Sequence, residues 1–599
     1  MSTTAEQSAQ AIVAPSRAWL RALELTAPIP RNRARTFATV IEEVASRMGD
    51  AAALLSDRQT LSYSQLAARV NQYARWAVAQ GLTKGDVVCL LMPNRPEYFA
   101  IWLGITSVGV VVSLLNTNLV GPSLAHSMRI VSPRHIIASA DLAAALDTAM
   151  THLDQSPAIW ISGDARGPYA SIDRSIQSLS GEALSETERR SVTIDDLALY
   201  IYTSGTTGLP KAARVSHARV MQWSHWFAGM MDVQSTDRLY NCLPMYHSVG
   251  GVQAIGAMLA SGGSAVVREK FSARQFFADV ARYDCTLIQY IGELCRYLLH
   301  TEPSSADTGH RVRLACGNGM AAEVWNRFKD RFQIPQILEF YAATEGSVSL
   351  FNMQGKSGAI GHIPGYLSHR FAPALVSIDV ETGQPLRDTQ GLCIAAAVNQ
   401  PGEALGKISQ DPAQAGTRFE GYTSSEASDK KILRHVLEHN DAWFRTGDLM
   451  RRDEKGYYYF VDRIGDTFRR KGENVATTEV AEALCAYPGI EHANVYGVAV
   501  PGVEGRVGMA ALVAHANLDL SDLRDHLASL LPGYARPVFL RIRTHADLTG
   551  TFKYSKSSLI REGYDPHRCP DALYCDTGVG FVPLDEELFA KMQAGDIRL

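Results

Sequence analysis

The stretch LALYIYTSGTTGLPKAA, residues 197–213, decides how the rest of the chain is read. Its first six residues are a continuous apolar and aromatic run of strand length, the pattern of a strand buried on both faces. Thr203, Ser204, Gly205, Thr206, Thr207, Gly208 and Lys211 then crowd hydroxyls, glycines and an ammonium into one loop. Glycines let backbone N–H groups close on phosphate oxygens, hydroxyls add hydrogen bonds, and lysine supplies a point charge. The spacing departs from the G-x-x-x-x-G-K-[ST] phosphate loop, because Leu209 and Pro210 separate Gly208 from Lys211 and Ala212 follows it. A plain surface turn has the same composition, and both readings stand at this point.

On the amino-terminal side, Ser62 and Gln65 form a capping-box pattern, and Leu66, Val70, Tyr73 and Ala77 then recur at helical spacing. VVCLL at residues 87–91 reads as a short buried strand. Residues 98–115, YFAIWLGITSVGVVVSLL, are uncharged over about the length of a membrane-spanning helix. Gly104 and Gly109 interrupt the run, and Val110, Val111 and Val112 make its second half β-branched, so it reads as a buried helix followed by a core strand. This alternation is that of a parallel sheet covered by helices. Residues 162–192 are polar and read as a surface connection, after which the alternation resumes to about residue 345. From about 355 to 460 short strands and turns predict a smaller β-rich unit, with loops such as NQPGEALGK at 399–407. Beyond Asp462 the order is helix (478–487), strand (493–500), strand (507–514), helix (521–531) and strand (538–543), a small α+β module; residues 565–599 give no pattern.

With 46% hydrophobic and 20% charged residues, the composition is that of an ordinary soluble globular protein. Lys+Arg 58 against Asp+Glu 62 leaves a net charge of -4, so nothing favours holding a polyanion, and a nucleic-acid partner is excluded. The 9 cysteines are scattered and never spaced C-x-x-C, which predicts reduced thiols rather than disulfides or zinc. The start, MSTTAEQSAQAIVAP, lacks a secretion signal. A cytoplasmic protein is expected, with membrane contact no more than peripheral; composition leaves the subunit number open, a dimer included.

YTSGTTGLPKAA, with YAATEG at 341–346, RTGD at 445–448 and DRIGDTFRRKGEN at 462–474, resembles the adenylate-forming superfamily of acyl-CoA synthetases, peptide-synthetase adenylation domains and luciferases. Within it, GDTFRRKGENV, GNGM at 317–320 and TGTFKYSK at 549–556 are most similar to the fatty acid transport protein branch, the very-long-chain acyl-CoA synthetases. The likeness runs over roughly residues 35 to 565. It implies an α/β fold: a large domain of residues 1–463, with two α/β subdomains and a β-rich one, that binds ATP and the acyl group, and a mobile α+β lid of residues 464–599.

The activity so implied is ATP-dependent ligation of a long- or very-long-chain fatty acid to CoA through acyl-AMP, with Mg²⁺. By the same resemblance Thr203, Ser204, Gly205, Thr206, Thr207, Gly208 and Lys211 wrap the β- and γ-phosphates, Thr344 contacts phosphate and Glu345 helps hold the metal. Tyr341 offers its face to adenine, whose edge lies along Gly317, Asn318 and Gly319. Asp448 accepts the ribose hydroxyls and Arg463 reaches ribose or phosphate. Lys553 is the lid lysine that touches carboxylate and α-phosphate, with Lys556 as competitor because Phe552 stands where related enzymes have glycine. Gly465 or Asp466 is the hinge. Trp226, His247, Gly250 and Gly251 line the acyl slot, although methionines and aromatics serve equally as plain core and a lone histidine is more often structural. A ligase that stops at acyl-AMP or passes it to a carrier protein, a CoA ligase for another bulky acid such as a sterol acid, and a fatty-acid uptake protein are the alternatives.

Overall fold

A computed structural model describes residues 14–154, 156–164, 168–204, 210–379, 382–409, 418–471, 473–501, 503, 505–516, 518–546, 556–594 and 597 of the chain. Contacts divide the chain into two compact units, Met1–Phe371 with Ile408–Ile432, and Ala372–Lys407 with Leu433–Leu599.

The first unit contains two sheets among its described residues. In one, the order is Ala170–Ser171, Ala158–Ser162, His135–Ser139, Val87–Leu91, Val111–Leu114, Leu197–Ser204 and Pro210–Ser216. All neighbours are parallel except the last pair, where Thr203 faces Lys211. The hydroxyl-rich loop therefore connects two antiparallel strands, not a strand and a helix, which is why its spacing departs from the ordinary phosphate loop. In the other sheet, Gln336–Ala342, Leu314–Asn318, Leu287–Ile291, Arg238–Asn241, Ser264–Val267 and Ala52–Leu55 run parallel in that order, with antiparallel strands at both edges.

The capping box at Ser62 and Gln65 is present and opens the helix Tyr63–Ala79. Residues 98–115 fall in the buried helix Pro96–Ser107 and the strand Val111–Leu114. Among the described residues no helix is long and apolar enough to cross a membrane. Gly104 marks where the two helices touch: a Cβ there would stand 2.4 Å from the Val70 carbonyl oxygen and 2.7 Å from the Tyr73 Cβ.

Three stretches differ from their sequence reading. Residues 162–192 are not only a surface connection, because the helix Ile172–Gln177 buries Ile172 and Ile176. Arg75 straps the polar remainder by donating to the Ser180 and Glu182 carbonyls, each at 2.7 Å. NQPGEALGK is a strand, Gly402–Lys407, inside an antiparallel sheet with Ala374–Val376, Ala442–Arg452 and Tyr457–Arg463. Its glycines suggest a loop, but a fully buried Glu403 holds it in the sheet through Arg445. Finally, the carboxyl-terminal residues add the strands Ala572–Asp576 and Phe581–Pro583 to the sheet of Ile490–Val498, Val507–Ala514 and Phe539–Arg543. One face of that sheet packs Val480, Leu484, Leu523 and Leu527; the other packs Leu559, Leu584 and Met592. The tail covers a face that would otherwise be bare.

Gly104→Ala should overpack the helix contact and lower stability by about 1–3 kcal/mol. Thermal unfolding beside Gly533→Ala, whose site has nothing within 4 Å of the added carbon and no positive φ, gives the measurement: the alanine at 104 must cost clearly more.

Candidate active site

In the first unit, motif residues far apart in sequence meet around one tyrosine. Tyr422 donates its hydroxyl to Glu345 Oε1 at 2.6 Å, and the Lys211 ammonium stands 5.7 Å from the centre of its ring. Thr203 also hydrogen-bonds the Tyr422 hydroxyl; burial first, then the Glu345 charge, raises that hydroxyl far above the tyrosine range. Tyr422 is brought there by backbone pairing, Arg214 N–H to the Gly421 carbonyl at 3.0 Å and Thr423 N–H to the Ala212 carbonyl at 3.1 Å. Thr344 Oγ1 lies 3.2 Å from Ser248 Oγ, which joins the segment carrying His247 to the same place. Gly205, Thr206, Thr207 and Gly208 fall outside the described residues; Ser204 is described in its backbone, paired with Pro210.

Glu345 fits a hard cation that brings its own ligands. Among the described residues its second oxygen accepts no hydrogen bond, and no cluster of three metal-ligating side chains occurs. A single carboxylate suits Mg²⁺, which keeps waters and takes phosphate oxygens, better than a cation that needs a full protein cage.

Three adjacent parallel strands carry Tyr290, Gly317 and Glu339 in register. A Cβ on Gly317 would stand 2.5 Å from the Tyr290 ring, so the missing side chain is what lets that ring cross to Glu339. Tyr290 donates to Glu339 Oε2 at 2.5 Å. Glu339 Oε1 accepts from the backbone N–H of Gly319, which has φ +80°, and from that of Met320 at 3.2 Å. Burial raises the Glu339 carboxyl to about 8, against which its three hydrogen bonds act. Tyr341 sits half-buried near the end of the same strand, opposite Leu350.

The residues named for the acyl slot are split between packing and the site. Trp226 is buried in an aromatic cluster, with ring centres 5.6 Å from both Trp19 and Phe371. Gly250 and Gly251 lie in a π-helical turn, Val249–Gln253, pressed against the carbonyls of residues 243–245. His247 is half-buried with its ring 4.5 Å from that of Tyr246.

In the second unit, Asp448 and Arg463 face each other on paired strands, Oδ1 and Nε 3.6 Å apart. Arg445 of RTGD turns away from them and grips buried Glu403 through Nε and Nη2, the latter at 2.7 Å. Glu403 also accepts the Gly447 N–H at 3.2 Å, which sets the turn before Asp448. Asp462 is buried and accepts from the N–H groups of Arg463 (2.9 Å) and Thr477 (2.5 Å) and from the Thr477 hydroxyl (3.1 Å); burial raises its carboxyl above the usual range. Lys556 is engaged by Asp466 at 3.0 Å and Thr477 Oγ1 at 2.8 Å. Lys553 lies outside the described residues.

The model of the AMP-binding enzyme family matches residues 41–399, and that of its C-terminal domain residues 479–553. Long-chain fatty acid transport protein 1 of Mus musculus is 41% identical over 581 residues, 95% of this chain and 89% of the relative. The chain belongs to the AMP-binding enzyme family, in its long-chain fatty acid transport protein branch. Solved structures share the fold. The anthranilate CoA ligase AuaEII in complex with anthranoyl-AMP superposes with TM-score 0.75 at 19% identity, over 87% of this chain and 95% of that one. A Mycobacterium tuberculosis fatty acyl CoA synthetase gives 0.62 at 21% identity, over 88% and 98%. The fold is thus that of adenylate-forming CoA ligases, with a large amino-terminal and a small carboxyl-terminal domain.

Sequence reasoning missed Tyr422, Glu339 and Arg219 of this AMP-binding enzyme. The last is buried and donates to the Thr344 carbonyl at 2.7 Å, holding the turn that carries Glu345. None belongs to a quoted motif, and their partners are distant in sequence; Glu339 alone carried a signal, a carboxylate inside an apolar strand.

The raised Glu339 carboxyl predicts a pH signature. The unfolded chain gives up this proton near pH 4.5 and the folded one near 8, so the group stabilises the fold fully below the lower value and loses that contribution up to the higher. Glu339→Gln, which does not titrate, should gain in thermal midpoint relative to the parent between roughly pH 5 and 8 and then hold level. A difference flat across that range would show the carboxyl ionised at neutral pH.

Proposed function

We propose that this protein is an AMP-forming fatty acid:CoA ligase acting on long or very long chains. The observation that carries the reading is the meeting of Thr203, Lys211, Thr344 and Glu345 around Tyr422, because phosphate chemistry needs cation, hydroxyls and a metal carboxylate at one place. The names of the relatives support a fatty acid as the acid.

In this reading the fatty carboxylate attacks the α-phosphorus of ATP, pyrophosphate leaves, and the CoA thiol then attacks the acyl-adenylate carbonyl and displaces AMP. Thr203 to Gly208 and Lys211 hold the β- and γ-phosphates, and Thr344 orients phosphate. Mg²⁺, when bound, neutralises phosphate charge, and Glu345 is the residue that holds it. Tyr341 stacks on adenine, with Gly317, Asn318 and Gly319 along its edge; Asp448 takes the ribose hydroxyls and Arg463 ribose or phosphate. Trp226, His247, Gly250 and Gly251 remain the proposed acyl side.

The lid of this proposal begins at residue 464 and turns at Gly465 or Asp466. Nothing stands within 4 Å of a Cβ built on Gly465, and its φ is not positive. This conformation does not require glycine there, which supports a glycine kept for a second one. Because Asp466 and Thr477 occupy Lys556, Lys553 is favoured as the lid lysine. Transport, the word in the relatives' names, follows in this reading from trapping the acid as its CoA ester.

Pyrophosphate release over a ladder of acids, from acetate through very long chains to sterol acids, tests the whole; no release with any acid overturns it. Omitting CoA separates a ligase from an enzyme that stops at acyl-AMP. Lys553→Ala should slow acyl-AMP formation by ~10²–10³-fold and largely spare thioester synthesis from supplied acyl-AMP. Gly465→Pro should do the converse; equal loss of both half-reactions in the Lys553 variant would remove that lysine's role, and survival of both in the Gly465 variant would remove the hinge.

A further inference from the structure

We propose that Glu339 is a positioning residue for the nucleotide: its carboxyl sets the backbone of residues 317–320 in the shape that receives the adenine edge. This rests on the adenylation reading above and adds to it the residue that enforces base selectivity.

Glu339 occupies a fully apolar stretch of its strand, between Leu338 and Phe340, and is 1% exposed. An uncompensated carboxyl in such a place is costly, and packing alone would be served better by leucine or methionine. No arginine, lysine or histidine is among its hydrogen-bond partners. What the carboxyl supplies is geometry. One oxygen takes two successive N–H groups, those of Gly319 and Met320, at the point where the chain leaves the strand with a left-handed Gly319. The other oxygen is fixed by Tyr290, whose ring reaches it only across the side-chain gap at Gly317. Three residues from three strands, Tyr290, Gly317 and Glu339, thus agree on one arrangement of a single turn. On that turn the buried side-chain oxygen of Asn318 has no partner among the described residues, an acceptor of the kind an exocyclic amine satisfies. Remove the carboxyl and two N–H groups lose their acceptor, so the turn must move to find another.

The test is titration of the full chain with ATP and with GTP, in Mg²⁺ and without acid, followed by steady-state kinetics. The parent should prefer ATP. Glu339→Gln, which keeps an acceptor for both N–H groups, should restore ATP affinity to within ~2-fold, whereas Glu339→Leu should weaken it by ~10-fold and shrink the ATP-over-GTP preference by a similar factor, with KM for the acid unchanged. Tyr290→Phe, which leaves the core volume intact, should weaken ATP by ~3-fold and serves if the leucine variant does not fold. Unchanged ATP affinity and base preference in a folded Glu339→Leu, or in Tyr290→Phe, overturns the inference. Failure of the parent itself to bind ATP would instead sink the adenylation reading.

Discussion

The candidate site of the first unit depends on one buried cation. Arg219, in the first turn of the helix His217–Met231, donates to the carbonyls of Thr344 at 2.7 Å, Gly346 at 3.5 Å and Arg418. Its charge is answered by Glu420 at 3.8 Å, and Glu420 in turn accepts the N–H (2.7 Å) and hydroxyl (2.5 Å) of Ser216. One guanidinium therefore fixes the end of the strand Pro210–Ser216, the turn bearing Thr344 and Glu345, and the segment that delivers Tyr422. Taking away one partner of such a buried pair leaves an uncompensated charge, typically about 3–5 kcal/mol. Glu345 can be presented in a single pose only because these three segments cannot move independently.

What was legible in the sequence follows from range. The capping box at Ser62, the buried strand at 87–91 and the helix-then-strand reading of 98–115 each rest on residues within a turn or a strand of one another, and each stands in the structure. The carboxyl-terminal module was legible for the same reason, down to the strand Val507–Ala514. The reading stopped where neighbours in space are distant in the chain. NQPGEALGK looks like a loop because Gly402 and Gly406 are poor strand formers, and only Arg445, 42 positions away, shows why Glu403 keeps it inside a sheet. The residues after 564 carry too few apolar positions to show a period, yet Leu584 and Met592 are buried because a sheet face is waiting for them.

The site divides along the same line. Family motifs pointed to Thr344, Glu345, Asp448 and Arg463, whose chemistry is visible in their own side chains. The residues that orient them, Arg219, Tyr422, Glu403 and Glu339, have ordinary local surroundings. Their roles arise from contacts that span from 20 to more than 100 positions.

A single device recurs at three motif-bearing turns and at the cap of the helix His217–Met231. Glu339 accepts N–H groups of the turn after Leu314–Asn318, Glu403 that of Gly447, Asp462 those of Arg463 and Thr477, and Glu420 that of Ser216. Helix and sheet satisfy their own backbone, but the N–H groups of a buried turn need an acceptor from elsewhere. A buried carboxyl solves this by taking the N–H groups that point inward. The solution differs with the neighbours available: Glu403 and Glu420 have an arginine beside them, whereas Glu339 has a tyrosine, and burial raises its carboxyl.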